Sequence, residues 1–510
     1  MTTMHDYVMA NFGKSFDPDP AMESGVVGLA KEALAALTDD AETLEKIYDY
    51  SNGKHIKPFA PRDASDEIRA TQSRSVTNLI PLVTSHPSQV LRVEGYRRGT
   101  FGDEKNIVED ALRFPDEWED WQRNRLDARQ HLIYETALRY GRAIVLADKV
   151  TSDKVRVDIQ PARHTVPFFR DPANDIRPEA VVIIRRYPKG DRPGLMHVWD
   201  TSHFYQLFYD DKKPDGGEFI LAAEPAPHGA DGCPAVRYHC FIDDEGSVQG
   251  IVERVIASQD RLNQAVFDTN ILSSHGAFKV RTAAGLTPSY QTDADGNLVL
   301  DGNGNPIAEP IAISQARMLV SSNSDTKFST LDETPMDGHL AAEDTSMRNL
   351  AIAAQLPPHV FLGNLSNLSA EALDAAEVTF HRFVEYLQAQ FADSHEELFR
   401  IICELKGDAE GATSYGGEVR WADIGLRSFA AWMDGLSKGV DSLEIPREAA
   451  WAEYPNMSSQ KLQTWRAMRE KQLTEQVYEP TGGLDAAGVR EFSPPIVTEQ
   501  EEAAPSGPIF

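Results

Sequence analysis

Apolar residues recur at three- to four-residue spacing at Val27, Leu29, Ala33, Leu34 and Leu37, and again at Leu44, Ile47 and Tyr48. That spacing predicts two amphipathic helices, with Gly53 as the stop of the second and Pro58 and Pro61 preventing a restart. From Asp116 to Tyr140 the same period predicts one long helix, its apolar positions being Trp118, Trp121, Leu126, Leu132, Ile133 and Leu138, with Gly141 closing it. The pattern then changes. AIVLA, VRVDIQ, AVVIIRRY, MHVWD, HFYQLFYD and EFILAAE are short β-branched and aromatic runs separated by Pro, Gly and Asp. They predict an antiparallel sheet with hairpins. After the turn at Gly232 and Pro234 the chain extends through AVRYHCFID.

The second half has a different layout. A charged amphipathic helix is predicted over 251–276, then a turn-dense stretch over 277–337, then a second helix over 338–355. Within the excursion, DADGNLVLDGNGNP reads as a hairpin with tight Asp-Gly and Asn-Gly corners, and ARMLV as a returning strand. The short loop PPHVFLGNLSNLS follows, and Ser369 caps a long helix reaching about Lys406. Its apolar positions are Phe380, Phe383, Val384, Leu387, Phe391, Leu398 and Ile402, and Gly407 ends it. Two helices around an excursion, then a Pro-led loop and a long helix, suggest a rod with something at its tip. Such a layout suits a part of a machine better than a lone enzyme pocket. Residues 428–477 form a small helical unit carried by Phe429, Met433, Leu436, Val440, Leu462, Trp465 and Met468, with Pro446 opening its second helix. Residues 1–20 are expected to be loosely ordered and 481–510 disordered.

A chain of 510 residues exceeds one compact core, so two to four subdomains are expected. Lys and Arg number 50 against 79 Asp and Glu, a net charge of −29. That sign disfavours a broad phosphate-gripping surface and suits a protein past which DNA slides. Three cysteines, Cys233, Cys240 and Cys403, make no disulfide framework and fit a reducing compartment. The first twenty residues lack a signal-peptide pattern, and no apolar run is long enough for a transmembrane helix, so no membrane partner is expected.

Chemical motifs are mostly missing. There is no G-x-x-x-x-G-K-[ST], no G-x-S-x-G and no H-E-x-x-H. Asp293, Asp295 and Asn297 alternate as in a calcium loop, but Leu298 stands where the sharp turn needs Gly, and a frame starting at Asp301 puts Pro306 there. His228, Cys233, His239 and Cys240 cluster, but their spacing departs from zinc-site pairs, and adjacent His239 and Cys240 on a strand point to opposite faces. His381 and Glu385 read as a helix surface pair. Tyr96-Arg97-Arg98 and Arg185-Arg186-Tyr187 are short basic steps, more often solvated surface than DNA contacts. No cofactor, metal or catalytic residue is expected.

Seven segments in order resemble the portal (head-to-tail connector) proteins of tailed bacteriophages, in particular those of siphophages infecting actinobacteria. They are IYDYSNGKHIKPFAP, LRVEGYRR, WQRNRLDARQHLIYETALRYGRAIVLA, VERVIASQDRLNQAVFDTNILSSHGAF, LPPHVFLGN, the Ser369 helix, and WADIGLRSFAAWMDGLSKGV with IPREAAWAEYP. Together they span about residues 40–470. One departure is Pro87, in VTSHPSQV, where family members run a continuous helix; it removes a donor and is expected to kink or restart that helix.

The resemblance implies an α+β portal fold: a wing over 21–250, stem helices at 251–276 and 338–355, and an α/β clip at 277–337. It further implies a channel (tunnel) loop at 356–368, a long wing helix and following strand at 369–427, and a helical crown at 428–480. It implies a non-enzymatic ring of about twelve subunits at one capsid vertex, through which DNA is packaged and ejected. Terminase, a head-tail adaptor and the major capsid protein are its implied partners, and the virion, after assembly in the host cytoplasm, its implied location. Glu253, Arg254, Asp260, Arg261 and Asp268 fall on the first stem helix. Pro357, Pro358, Val360, Phe361 and Leu362 would anchor the loop, and Asn364, Ser366 and Asn367 would face DNA as small uncharged groups; Asn367 reads equally well as part of the cap of the next helix. Phe380, Phe383, Leu387 and Phe391 would pack the wing helix. A metal-dependent hydrolase built on His228, Cys233 and His239, or another capsid or scaffold protein, are the competing readings.

Overall fold

The computed structural model describes residues 20–98, 116–210, 218–277, 281–284, 290–293, 295–302, 304–307, 327–330, 335–363, 370–424, 429–452, 454 and 459–478. The chain divides into two compact units, Met1–Gly425 and Leu426–Phe510.

The first unit opens with α1 (Pro20–Asp39) and α2 (Ala41–Ser51), followed by α3 (Asp66–Arg74) and α4 (Ile80–Val90). Pro87 lies inside α4, buried, and the helix runs through it to Val90, with Leu91 N donating to the Pro87 carbonyl. The expected restart does not occur, because the missing donor falls in the last turn. After β1 (Val93–Arg97), the segment read as one helix from Asp116 is two: α5 (Asp116–Arg123) and α6 (Leu126–Tyr140). The break is at Arg125, in the left-handed region at φ 55°. Asn124 holds the break to the neighbouring strand, its Nδ2 donating to Val155 O at 2.9 Å and its Oδ1 accepting from Val157 N at 2.9 Å. The turn rotates the stripe, so Leu132 is 53% exposed while Leu126, Ile133 and Leu138 are buried.

The strand-rich region is all antiparallel and forms two sheets. Its strands are β2 (Arg142–Thr151), β3 (Lys154–Gln160), β4 (Thr165–Phe168), β5 (Ala180–Arg186), β6 (Gly194–Trp199), β7 (His203–Asp210), β8 (Glu218–Leu221), β9 (Ala226–Pro227) and β10 (Ala235–His239). The larger sheet has the order β4-β5-β6-β7-β8 with β9 added to β7, and the smaller has the order β10-β2-β3. Side chains alternate across each strand, so a strand covered on both faces is apolar throughout. On β5, Val182 and Ile184 join the α1 residues Val26, Ala30, Ala33 and Leu37. Val181 and Ile183 face the other way and meet Ile144 and Leu146 of β2. On β2, Ala143, Val145 and Ala147 in turn pack with α6 and the long helix described below. The layers are thus helix, six-stranded sheet, three-stranded sheet and helices.

The short pair β11 (Phe241–Ile242) and β12 (Val248–Gln249) leads into α7 (Ile251–Ala277). Gly141 and Gly250 let the end of α6 meet the start of α7: a Cβ on Gly250 would lie 2.3 Å from Arg139 O, and one on Gly141 2.8 Å from Gln249 C. Beyond α7 come β13 (Arg281–Ala284) and β14 (Lys327–Thr330), paired with Arg281 opposite Thr330. ARMLV lies outside the described residues; the described return strand is β14. Then come α8 (Asp337–Ala353), packed on α7, the one-turn α9 (His359–Leu362) and α10 (Ala370–Lys406). After α11 (Ala409–Ala412), β15 (Glu418–Trp421) returns to pair with β1.

Phe380, Phe383, Leu387 and Phe391 of α10 are all buried, with Leu398, Phe399, Ile401 and Ile402 extending the stripe. They belong to the core with Trp121, Tyr134, Tyr238 and Val252, inside one subunit. The second unit holds α12 (Phe429–Ser442), α13 (Arg447–Ala452) and α14 (Ser459–Tyr478). Trp465 stacks edge-on against Trp451 at 6.3 Å and Tyr454 at 5.5 Å, but Met433 and Met468 are exposed.

Candidate functional site: the stem helix and the loop base

α7 buries amides as well as apolar groups on the faces it packs. Ile251, Val252, Val255, Ile256, Leu262 and Phe267 are buried, and so are Gln259 and Asn263. The two amides bind the backbone of the stretch leading into α4. Gln259 Nε2 donates to Thr77 O at 2.7 Å, and its Oε1 accepts from Leu79 N at 3.2 Å. Asn263 Oδ1 accepts from Thr77 N at 3.1 Å, and its Nδ2 donates to His55 Nδ1 at 3.0 Å. His55 in turn stacks on Tyr50 at 4.6 Å and places Nε2 3.0 Å from Tyr50 O and 3.1 Å from Asn78 Oδ1. Asn263 Nδ2 is a donor, so Nδ1 is the acceptor and Nε2 carries the proton. Further along, Gln264 Oε1 accepts from Phe59 N at 2.7 Å and Asn270 donates to Ser75 Oγ at 3.2 Å. These amides clamp residues 50–79 along α7 by geometry, where apolar contact alone would allow sliding.

The charged residues expected on this helix are dispersed. Asp260 accepts from Tyr50 OH at 2.7 Å, and burial, then that bond, raises the Tyr50 phenol above its usual range. Asp268 accepts from Gln264 at 2.9 Å. Arg254 sits 3.6 Å above the Phe241 ring and donates to Gln249 Oε1 at 2.9 Å, pinning the foot of the helix. Glu253 and Arg261 are exposed.

The loop base is built after α8. Gln355 takes φ 56°, Leu356 N donates to Ala351 O at 2.9 Å and Gln355 N to Ile352 O at 3.1 Å. That is a Schellman end, so α8 stops before Pro357 is reached. Leu356 is buried in the main core and Phe361 packs against it. Pro357 and Pro358 begin the turn: Phe361 N and Leu362 N both donate to Pro358 O at 3.1 Å. Val360 and Leu362 are half-buried, so the apolar anchor is a helical turn, not an extended loop. Gly363 then turns left-handed at φ 61°. Glu377 of α10 faces this turn, with Oε1 3.5 Å from His359 Nε2 and Oε2 3.7 Å from His381 Nε2. The His381 pairing is therefore with Glu377. His86 lies against Phe380 at 4.9 Å, and burial, then nearby His359, lowers its pKa. Asn364, Ser366, Asn367 and the Ser369 cap lie outside the described residues.

The chemical alternatives do not assemble. Cys233 is buried among Val181, Ile183 and Trp199, and burial pushes its thiol up to about 12. His228 Nε2 lies 3.2 Å from Asp200 O, and Cys240 Sγ donates to Ala137 O and Gln249 O, both at 3.3 Å. Asp293 Oδ1 is already taken by Asp295 N at 3.0 Å and Asn297 N at 2.8 Å, which makes a turn and not a cation loop. Among the described residues, potential ligands converge only at Glu117, Cys403 and Asp408. The sequence gives no warning of that group, whose members lie far apart along it. A guanidinium occupies it: Arg98 Nη2 is 3.1 Å from Glu117 Oε1, 3.5 Å from Cys403 Sγ, and paired with Asp408. The basic steps are also engaged, since Arg186 donates to Pro193 O at 3.1 Å and Arg185 to His197 at 3.2 Å.

What remains is a structural device: a clamped helix pair and an anchored loop base on a layered body. A sequence profile described as phage portal protein, SPP1 Gp6-like, matches residues 30–475, and the chain belongs to that family. It is a portal protein, the channel component at a capsid vertex, and not an enzyme. No curated protein matches the chain. Similar solved chains come from gene transfer agent (GTA) particles. One, from the neck of an empty GTA particle with C6 symmetry, is 14% identical at TM-score 0.38, covering 78% of this chain and 94% of that one. One from the virion of a native particle is 14% identical at 0.37, covering 79% and 95%. One from a native neck with C12 symmetry is 12% identical at 0.36, covering 80% and 98%.

Proposed function

We propose that about twelve copies close into a ring whose bore passes double-stranded DNA during packaging and ejection. α7 and α8 are the stem, 277–337 the clip that meets terminase and the head-tail adaptor, and 356–368 the loop facing the bore. Residues 21–250 with α10 and β15 make the wing, against the major capsid protein, and 428–480 the crown. The observation that supports this most directly is the loop base. Leu356 is buried in the core and the following turn is tied to α10 through His359 and Glu377. A loop that touches moving DNA needs such a rigid root. Asn364, Ser366 and Asn367 leave that root without charge, and the subunit's net charge of −29 keeps phosphate from adhering.

Two measurements test the reading. Electron micrographs of purified protein should show holed discs. Phage carrying Asn364→Asp with Asn367→Asp should assemble rings but package less DNA per particle, because added charge at the bore repels phosphate. Full heads from that variant, with rings intact, would remove the loop from the bore.

A further inference from the structure

Ile56 is 61% exposed, Phe59 78% and Ile352 69%, the largest apolar exposures beside the stem. Ile56 and Phe59 belong to the strip that Tyr50 OH and Gln264 hold against α7: Ile56 N lies 3.4 Å from Tyr50 OH, and Phe59 N donates to Gln264. Ile352 belongs to the outer face of α8, which also packs on α7. Both surfaces are held rigidly by buried groups, yet each ends in apolar side chains facing water. Isolated surface apolar residues are ordinary, but rigidly presented large ones flanking a single helix mark contacts.

We propose that the strip around Ile56 and Phe59 of one subunit docks on the outer face of α8, around Ile352, of a second copy of this chain. The inference rests on the ring reading above and names the surfaces that close it. Three observations carry it. A rotational ring of more than two copies needs a heterologous contact, in which each subunit offers two different patches; the structure offers two, flanking α7. The patches differ in charge in the complementary sense. Basic residues outnumber acidic ones five to three over 54–74, while acidic outnumber basic three to one on Asp337–Ala353. That basic tilt runs against the net charge of −29 of the whole chain.

The heights also match. Arg281 and Thr330 are paired opposite one another, between two helices that pack together. Asp260, which binds Tyr50 OH beside Ile56, lies 21 positions before Arg281, and Ile352 lies 22 positions after Thr330. The two apolar patches are therefore about level along the stem. A pure rotation brings together points of equal height, so the strip of one subunit meets the Ile352 level of the next.

The test is disulfide trapping in the full chain. All three native cysteines are buried, so they leave a low background. Ile56→Cys with Ile352→Cys, oxidised with copper phenanthroline, should give a ladder of linked subunits on reducing-agent-free gels. Neither single variant should do so, because a heterologous contact never brings a residue to its own copy. Both positions are exposed, and an unchanged melting curve before oxidation shows that the variants fold. Rings in micrographs without a ladder would overturn this interface and leave the ring standing. Dimers from either single variant would overturn its heterologous character. A monomer at every concentration would overturn the ring and the interface together.

Discussion

His395 and Tyr134 meet inside the subunit with Nε2 of the imidazole 2.8 Å from the phenol oxygen, across 261 residues of chain. Both are fully buried. On the other side Nδ1 lies 2.9 Å from Tyr238 OH. One assignment gives every proton an acceptor: Tyr238 donates to Nδ1, Nε2–H donates to Tyr134, and Tyr134 donates to Gln130 Oε1 at 3.2 Å. Gln130 Oε1 also accepts from Val93 N at 2.8 Å. This chain of bonds joins α6, β10, α10 and the start of β1 in the core where Trp121 and Phe391 pack.

Tyr134→Phe removes the acceptor of Nε2–H and leaves a buried donor unpaired. The expected loss is about 1–3 kcal/mol. Denaturant unfolding of wild type and variant measures it, and an unchanged midpoint would mean that the histidine finds water.

Acid should destabilise the subunit through the same residue. Burial lowers the His395 pKa from the model value of 6.5 to about 3. The unfolded chain therefore takes up the proton first. The contribution of this group is complete above about pH 6.5 and is lost as pH falls towards about 3, with a limiting slope of ~1.4 kcal/mol per pH unit. Burial lowers His197 and His239 to about 4, in the same sense. Unfolding free energies at pH 7, 6 and 5 should fall in order, and His395→Gln should flatten the profile. Parallel profiles for wild type and variant would contradict the assignment.

Arg177 joins the loop after β4 to α10 by a fork: Nη1 and Nη2 each lie 2.9 Å from an oxygen of Glu404. Its Nε donates to Cys233 O at 2.8 Å, and Glu397 stands 3.5 Å away. Glu404→Leu strands much of that charge and should cost about 1.5–3 kcal/mol. Adding Arg177→Met should restore part of it, and a double-mutant cycle on thermal unfolding reads the coupling. Simple additivity would show the pair to be independent.

Asn263→Leu should loosen residues 50–79 from α7. It leaves Thr77 N and His55 Nδ1 without their partners, at about 1–3 kcal/mol. Limited proteolysis should cut within 54–75 faster in the variant than in wild type. Equal rates would mean that apolar contact alone holds the strip.

The helix periods at Val27–Leu37, 251–276 and Phe380–Ile402 were legible because each helix presents one apolar stripe to a core, and spacing alone reports a stripe. The strands were legible for the complementary reason. Val181–Ile184 and Ala143–Ala147 are unbroken apolar runs because layers cover both faces. Which layer each face meets is absent from the run itself, and only the packed structure decided that Val182 meets α1 while Val181 meets β2. The same holds for the break at Arg125, which depends on Asn124 finding the backbone of β3. Gln259 and Asn263 stand four apart on α7, a visible hint, but their partners at 55 and 77–79 lie about 180 to 210 residues away. Glu117, Cys403 and Arg98 left no mark at all, since the end of β1 and the end of α10 approach only in the fold. Local spacing encodes which side of an element is buried. The partner across the interface is set by long-range packing, where the chain's order no longer orders the contacts.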